Sequence, residues 1–321
     1  MIVSRARALV LAGGLSSALV LSSCGTDDPA TAGADGDART VLASFYPLEY
    51  AAKRVGGDLV QVENLTKPGA EPHDLELTPS DVGRLAEADL VVFLRGFQPA
   101  VDEAVDSEAG DAAYDVEGDA RLDLTATDDG HADEEGEEGE EGHEGEDGTT
   151  DPHFWLDPLR LADVGDALAD RLAGDDQENA QVYLDNAADL RADLEALDDE
   201  LTSGLASCQS TELVTSHAAF SYFADRYGFE MESLAGLSPE DEPSPQDLAE
   251  LTEFVREHQV STIYYETLVS PEVADTVARE AGVETAVLDP LEGLNEESAG
   301  ADYLEVMRSN LASLQSGQSC T

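Results

Sequence analysis

The sequence predicts an α/β protein in which two regions of alternating strand and helix flank one long helix. Short β-branched runs alternate with helical stretches from residue 40 onward, the pattern of βαβ units around a mainly parallel sheet. The alternation stops at 177–203, a helical run with no Gly or Pro inside it, and then resumes. A strongly acidic segment, 128–147, interrupts the first region without contributing anything a core could use.

Taken in order, 41–45 reads as a strand and 47–55 as a helix, with Pro47 suited to its first turn. A strand follows at 60–65, a helix at 80–86 capped by Ser80, and a buried strand at 90–94. Within 128–147, twelve of twenty residues are Asp or Glu, five are Gly, two are His and one is Ala, so a solvated, disordered insert is expected. Residues 159–172 form a helix. The long helix over 177–203 has Gly204 just past its end and one apolar stripe of Leu190, Leu194, Leu197 and Leu201. At ~1.5 Å per residue it spans roughly 40 Å, about the diameter of a small domain. It is either a rigid spine between two regions or an ordinary amphipathic helix packed inside one. Strands at 212–215, 261–266 and 284–288 then alternate with helices at 245–258, 271–281 and 302–314.

The first residues read as an address. Arg5 and Arg7 precede an apolar run over 8–21, too short for a comfortable membrane span of ~20 residues, so 1–23 is expected to be a secretory signal peptide. Cys24 ends that run in a Leu-Ser-Ser-Cys sequence resembling a lipobox, in which the thiol carries lipid. Residues 24–39 are then the anchor site and a flexible tether. Cys208 and Cys320 remain, and two cysteines in an exported chain suggest one disulfide. The competing reading, a pair of thiolate metal ligands, lacks any CxxC spacing.

Charge narrows the function. The 321 residues carry 71 acidic against 16 basic groups, a formal net charge of −55. Such a field repels nucleic acid and anionic lipid headgroups and attracts cations. Six histidines are few enough to weigh singly. His258 lies at a helix end among charged residues and reads as surface. His131 and His143 fall in the acidic insert, where they could serve as weak accessory metal ligands. His73 lies in the connection after the strand ending near residue 65, and His217 just past the strand at 212–215. His153 sits between the insert and a helix, and Asp289 follows directly on a strand. Ligands of open α/β sheets gather outside the carboxyl ends of the strands, so these positions can share a site. Neutral imidazoles with a carboxylate are the ligand set of Zn²⁺. Each histidine taken alone is more often a satisfied loop residue. Protonation near the reference pKa of ~6.5 should weaken such a site below about pH 6.

Four motifs, in order, resemble those of the metal-specific solute-binding proteins of ABC importers, the ZnuA-like group. They are Ala43-Ser44-Phe45-Tyr46-Pro47-Leu48; Gly69-Ala70-Glu71-Pro72-His73-Asp74 with Thr78-Pro79-Ser80-Asp81; Asp151-Pro152-His153 with Trp155-Leu156-Asp157-Pro158; and His217-Ala218-Ala219-Phe220 with Tyr222-Phe223. The resemblance runs from about Val41 to Leu314. It implies two lobes, each a mainly parallel sheet flanked by helices, joined by one long helix: an N-terminal lobe over 40–176, a linking helix over 177–205 and a C-terminal lobe over 206–321. It also implies a zinc-capturing protein with metal held between the lobes by His73, His153 and His217, working as a monomer with an ABC permease and its ATPase. The fourth ligand varies among relatives; Asp289 matches best, with Glu292 and Glu71 as rivals. Manganese-binding relatives usually carry Glu where His217 stands, and N-rich sites hold Zn²⁺ more tightly than Mn²⁺, which favours zinc. The insert occupies the position of a His-rich loop in zinc-specific relatives but is mainly carboxylate. A zinc metallohydrolase is the rival from another class, and the sequence contains no HExxH or other local catalytic signature.

Overall fold

The computed structural model describes residues 38–126, 149–240 and 243–321. The expected signal peptide, Cys24, most of the tether, and the acidic segment with His131 and His143 lie outside those residues.

In the N-terminal lobe β1 (Arg39–Ala43), α1 (Tyr46–Gly56), β2 (Val60–Asn64), α2 (Pro79–Glu87), β3 (Leu90–Phe93), α3 (Pro99–Ala104), β4 (Ala113–Asp115) and α4 (Glu117–Ala120) follow in sequence. The strands pair in parallel in the order β2-β1-β3-β4, with Val41 opposite Val62 on one side and Leu90 on the other. Helices cover both faces of the sheet, and Val41, Leu42, Ala43, Val91 and Val92 have no exposed surface. Burial on both faces is why these strands read as unbroken apolar runs rather than alternating ones.

Next, β5 (Thr125–Ala126) and β6 (Thr149–Thr150) form a two-stranded antiparallel ladder that brings the two ends of the acidic segment side by side. Two helices follow, α5 (Pro158–Asp175) and α6 (Ala180–Leu205).

The C-terminal lobe repeats the first: β7 (Glu212–His217), α7 (Ser221–Tyr227), β8 (Glu230–Ala235), α8 (Pro245–Glu257), β9 (Thr262–Tyr265), α9 (Glu272–Ala281), β10 (Glu284–Val287) and α10 (Tyr303–Gly317). Its parallel order is β8-β7-β9-β10, so in both sheets the first strand lies between the second and third. The point where the winding reverses is therefore between β1 and β3 in one lobe and between β7 and β9 in the other. Ligand sites of open sheets form at the carboxyl ends of such strands.

Helix α6 is the spine. It packs along α5 and against α1 of the first lobe and α10 of the second. Leu190, Leu194, Leu197 and Leu201 are fully buried, as the stripe predicts, each worth about 1.5–3 kcal/mol of apolar transfer. Arg54 reaches Asp193 and Arg308 reaches Glu200, so both lobes also hold α6 by surface ion pairs. Cys208 and Cys320 form a disulfide that ties the end of the chain to the start of β7's lobe. Among the described residues no helix is long and apolar enough to cross a membrane.

Three local expectations are corrected. The cap of α2 is Thr78, not Ser80: Thr78 and Asp81 exchange side-chain and backbone hydrogen bonds in a capping box, with Pro79 at the first helical position. Gly204 lies inside α6 rather than beyond it. A Cβ there would come within 2.9 Å of Leu311 and 2.8 Å of Gln315, so this glycine serves the close approach of α10 instead of ending the helix. Strand β7 runs on past 215, the expected end, and His217 is its last residue. Short elements such as β4 and α3 went unanticipated, since three to six residues carry too little periodicity to read.

Candidate metal centre

Connections at the carboxyl ends of the two sheets, together with the turn before α5, supply the groups of one buried cluster. The connection from β2 to α2 brings His73, fixed by Gln98, whose side-chain amide donates to the Pro72 carbonyl at 3.1 Å and to the Thr66 hydroxyl at 3.0 Å. The His73 ring stands edge-on to Phe97, with centroids 4.6 Å apart. His153 precedes α5 and belongs to a turn closed by Asp151. One Asp151 oxygen accepts from both the His153 backbone N–H (2.9 Å) and its ring Nδ1 (2.8 Å). His217 ends β7, and its Nδ1 donates to Glu266 Oε1 at 2.8 Å, the same oxygen that accepts from the Ser216 hydroxyl. Glu266 is the first residue after β9.

The carboxylate that meets these rings is Glu292. Its Oε1 lies 3.1 Å from His153 Nε2, 3.1 Å from His217 Nε2 and 3.4 Å from His73 Nε2. The four ligand atoms lie within 4.8 Å of one another. Neighbouring ligand atoms of a tetrahedral zinc with ~2.0–2.1 Å bonds are roughly 3.3–3.4 Å apart, so the spacing about Oε1 fits that ion. His153 and Glu292 have no exposed side-chain surface, His217 has 1% and His73 has 11%.

Asp289, the residue expected to be the fourth ligand, is three positions away and otherwise engaged. Its Oδ1 accepts from the Leu291 N–H at 2.8 Å and its Oδ2 from the Thr267 hydroxyl at 3.2 Å. Asn310 on α10 brackets its backbone, accepting from its N–H and donating to its carbonyl at 2.9 and 2.7 Å. Leu291 takes φ +60°, the left-handed conformation, which costs a non-glycine residue roughly 1–2 kcal/mol. The Asp289 hydrogen bond holds that turn, and the turn carries Glu292 into the cluster. Glu71, the other rival, accepts from the His73 N–H at 2.7 Å and is not one of the four clustered groups. His258 is exposed, lies flat on Phe254 and pairs with Glu212, as a surface residue should.

The electrostatics follow from burial and from these partners. Burial lowers the pKa of His73, and that effect prevails over the pull of Glu292. Burial also opposes charge on His153 and His217, but the carboxylates win. Asp151 and Glu292 raise His153, and Glu266 and Glu292 raise His217 well above its ordinary value. Glu292 is the mirror case: burial favours its neutral form, and the imidazoles, His217 foremost, hold it well below the usual carboxylate range. Burial, with Glu292 nearby, pushes Glu71 up to about 9, and burial pushes Asp289 to about 6. Donation of Nδ1–H to Asp151 and Glu266 leaves the Nε2 lone pairs of His153 and His217 directed at a shared point. Asp151 and Glu266 are the groups that the sequence alone did not reveal. Glu266 had a usable signal, its place at the carboxyl end of a strand.

Across residues 41–317 the chain matches the model of the family described as ZnuA, zinc-uptake complex component A, periplasmic. It is 35% identical over 301 residues to the high-affinity zinc uptake system protein ZnuA of Bacillus subtilis, covering 92% of this chain and 93% of that one. The chain belongs to the ZnuA family. Another relative is the zinc-binding lipoprotein AdcA of Streptococcus pneumoniae serotype 4, 36% identical over 286 residues. That match covers 86% of this chain and 55% of AdcA, so this ZnuA-family chain spans about half the length of the AdcA relatives. The solved Zn(II)-bound ZnuA-like domain of Streptococcus pneumoniae AdcA superposes with a TM-score of 0.71 at 33% identity, covering 87% of this chain and 98% of that domain. The two-lobe architecture is thus that of the ZnuA family.

Proposed function

We propose that this chain is the extracytoplasmic zinc receptor of an ABC importer, binding Zn²⁺ between its lobes and delivering it to a membrane permease served by an ATPase. The carrying observation is the buried cluster of His73, His153, His217 and Glu292 in a chain of this family. We assign those four as the ligands, two from the lobe over 40–176 and two from the lobe over 206–321, with 177–205 as the link. Asp289 acts by holding the turn that presents Glu292.

The donor set supports zinc over manganese, since three imidazole nitrogens favour the later metal of the Irving–Williams series. It supports carriage over catalysis as well. Catalytic zinc keeps a position open for water, whereas four protein donors fill a tetrahedron. Cys24 is proposed as the lipid anchor after removal of 1–23, with the protein acting as a monomer at the outer face of the cytoplasmic membrane. His131 and His143 are proposed as weak accessory ligands.

Competitive titration of chelator-stripped protein with Zn²⁺ and Mn²⁺, with bound metal counted by mass spectrometry, tests the assignment. One tightly held zinc is expected, with His217→Ala losing most of the affinity. A preference for Mn²⁺, or a His217→Ala protein that binds zinc as the parent does, would sink it.

A further inference from the structure

One peptide unit beside the metal cluster is held at both of its polar ends. Leu291 takes φ +60°, and the peptide that enters it presents the Pro290 carbonyl and the Leu291 N–H. The N–H donates to Asp289 Oδ1 at 2.8 Å, within the C-terminal lobe. The carbonyl accepts from the indole N–H of Trp155 at 2.7 Å, and Trp155 lies two residues past His153, on the other lobe's side of the site. Tyr303 on α10 returns the contact, its hydroxyl donating to the Trp155 carbonyl at 2.6 Å. Trp155, Leu291 and Tyr303 have no exposed surface.

An indole in this place could be packing alone. Its ring does pack, with centroids 4.9 Å from Phe45, 5.5 Å from Phe97 and 5.2 Å from His153. A phenyl ring would serve for packing without bringing a buried donor that the fold must then satisfy. Here the donor is aimed at the peptide on which the Glu292 turn depends. A left-handed leucine persists only where its surroundings over-determine it. Leu291 can relax to negative φ by turning this peptide over, which breaks both hydrogen bonds. The indole therefore ties the turn before Glu292 to the segment that bears His153.

We propose that Trp155 is a positioning residue for zinc capture: its indole N–H clamps the 290–291 peptide from across the lobes and holds Glu292 beside His153 before the ion arrives. Ligands set in advance leave less ordering to be done on binding, and affinity gains accordingly. The proposal rests on the reading of Glu292 as a zinc ligand.

The chain contains a single tryptophan, so its indole N–H gives one NMR signal. In chelator-stripped protein that N–H should exchange with D₂O as slowly as in the zinc-bound form. Rapid exchange that zinc alone suppresses overturns the clamp. Trp155→Phe keeps an aromatic ring and removes the donor. Its zinc affinity should fall roughly 10–100-fold, the usual loss for a group that orients a metal ligand. The Co²⁺-loaded variant should lose the strong tetrahedral absorption of the parent and approach the spectrum of Glu292→Gln. A Trp155→Phe protein with a lower Tm but the parent's zinc affinity and Co²⁺ spectrum has lost packing alone, which refutes the positioning role. Tyr303→Phe removes only one hydroxyl and serves if the first variant does not fold. Faster indole exchange and weaker zinc binding are expected there, and parent-like values for both refute the proposal. If Glu292→Gln binds zinc as tightly as the parent, the ligand assignment itself fails, whatever the indole shows, so the two failures are told apart.

Discussion

Glu266→Gln keeps the shape of a side chain that is 2% exposed and removes its charge. The amide oxygen can still accept from His217 Nδ1 and the Ser216 hydroxyl, each now 2.8 Å from Glu266 Oε1. The geometry of the cluster should therefore survive, and what disappears is the negative charge that raises the basicity of His217. Loss of such a partner behind a metal-bound imidazole typically lowers affinity 10–100-fold, or about 1.4–2.7 kcal/mol. The new amide N–H₂ also lands where Glu266 Oε2 has no partner, so the metal-free fold should lose about 1–3 kcal/mol for an unsatisfied buried donor. Two measurements separate these effects: zinc affinity by competition with a chromogenic chelator, and the His217 ring titration by NMR in the metal-free protein. The ring pKa should drop, because Glu266 is the strongest group raising it against burial. A ring pKa that drops while zinc affinity stays within twofold of the parent would show that the charge behind His217 is not felt by the metal.

Other consequences are equally accessible. His153 and His217 hold protons more tightly than free imidazole and must lose them to bind zinc, so proton release per ion should rise, and zinc affinity fall, as pH drops through their raised values; calorimetry in buffers of different ionisation enthalpy at a series of pH values follows the release, and a count that does not rise toward acid pH contradicts the assignment. In the metal-free protein the raised His217 stabilises fully below ~pH 6.5 and loses that contribution as pH rises through its folded pKa. The depressed Glu292 stabilises above ~pH 4.5 and loses it as pH falls through its folded pKa, so the metal-free Tm should peak in the weakly acidic window between. Leu194→Ala in the spine should cost about 2–5 kcal/mol in urea unfolding with zinc affinity little changed; parent-like stability would mean that α6 is not held by that stripe. Cysteine-to-serine replacement at 208 and 320 opens a loop of 112 residues and should cost about 2–5 kcal/mol by the same measurement.

Much of this was legible from residue types and spacing. The apolar run of β3 announced a buried strand in a parallel sheet, and the leucine stripe of α6 announced a buried helix face, while the spine role of that helix was left open until its packing against both lobes was in view. The three histidines stood out because imidazoles are rare in this chain. Carboxylates are not, and one Asp or Glu among 71 carries no signal of its own. That is why Asp151 and Glu266 were missed and why Asp289 drew attention ahead of Glu292. Asp289 does follow a strand as the placement rule requires, but the ligand position is decided by the left-handed turn at Leu291. Periodicity cannot reveal a conformation that leucine disfavours in isolation. Gly204 was misread for a related reason: a glycine that ends a helix and one that admits a neighbouring helix look alike until the neighbour is in view.

The small ladder of β5 and β6 has a consequence for how this protein can diverge. It fastens both ends of the acidic segment, and one residue later the Asp151 N–H bonds to the Leu124 carbonyl at 3.0 Å, before the turn that sets His153. Whatever joins residue 126 to residue 149 therefore meets the same doorway. Doubling its length adds only about 0.6 kcal/mol of closure entropy, and the ladder keeps that change from reaching the imidazole. The length and composition of the segment are thus set apart from the frame that fixes His153, because the ladder and the Asp151–Leu124 hydrogen bond stand between the two.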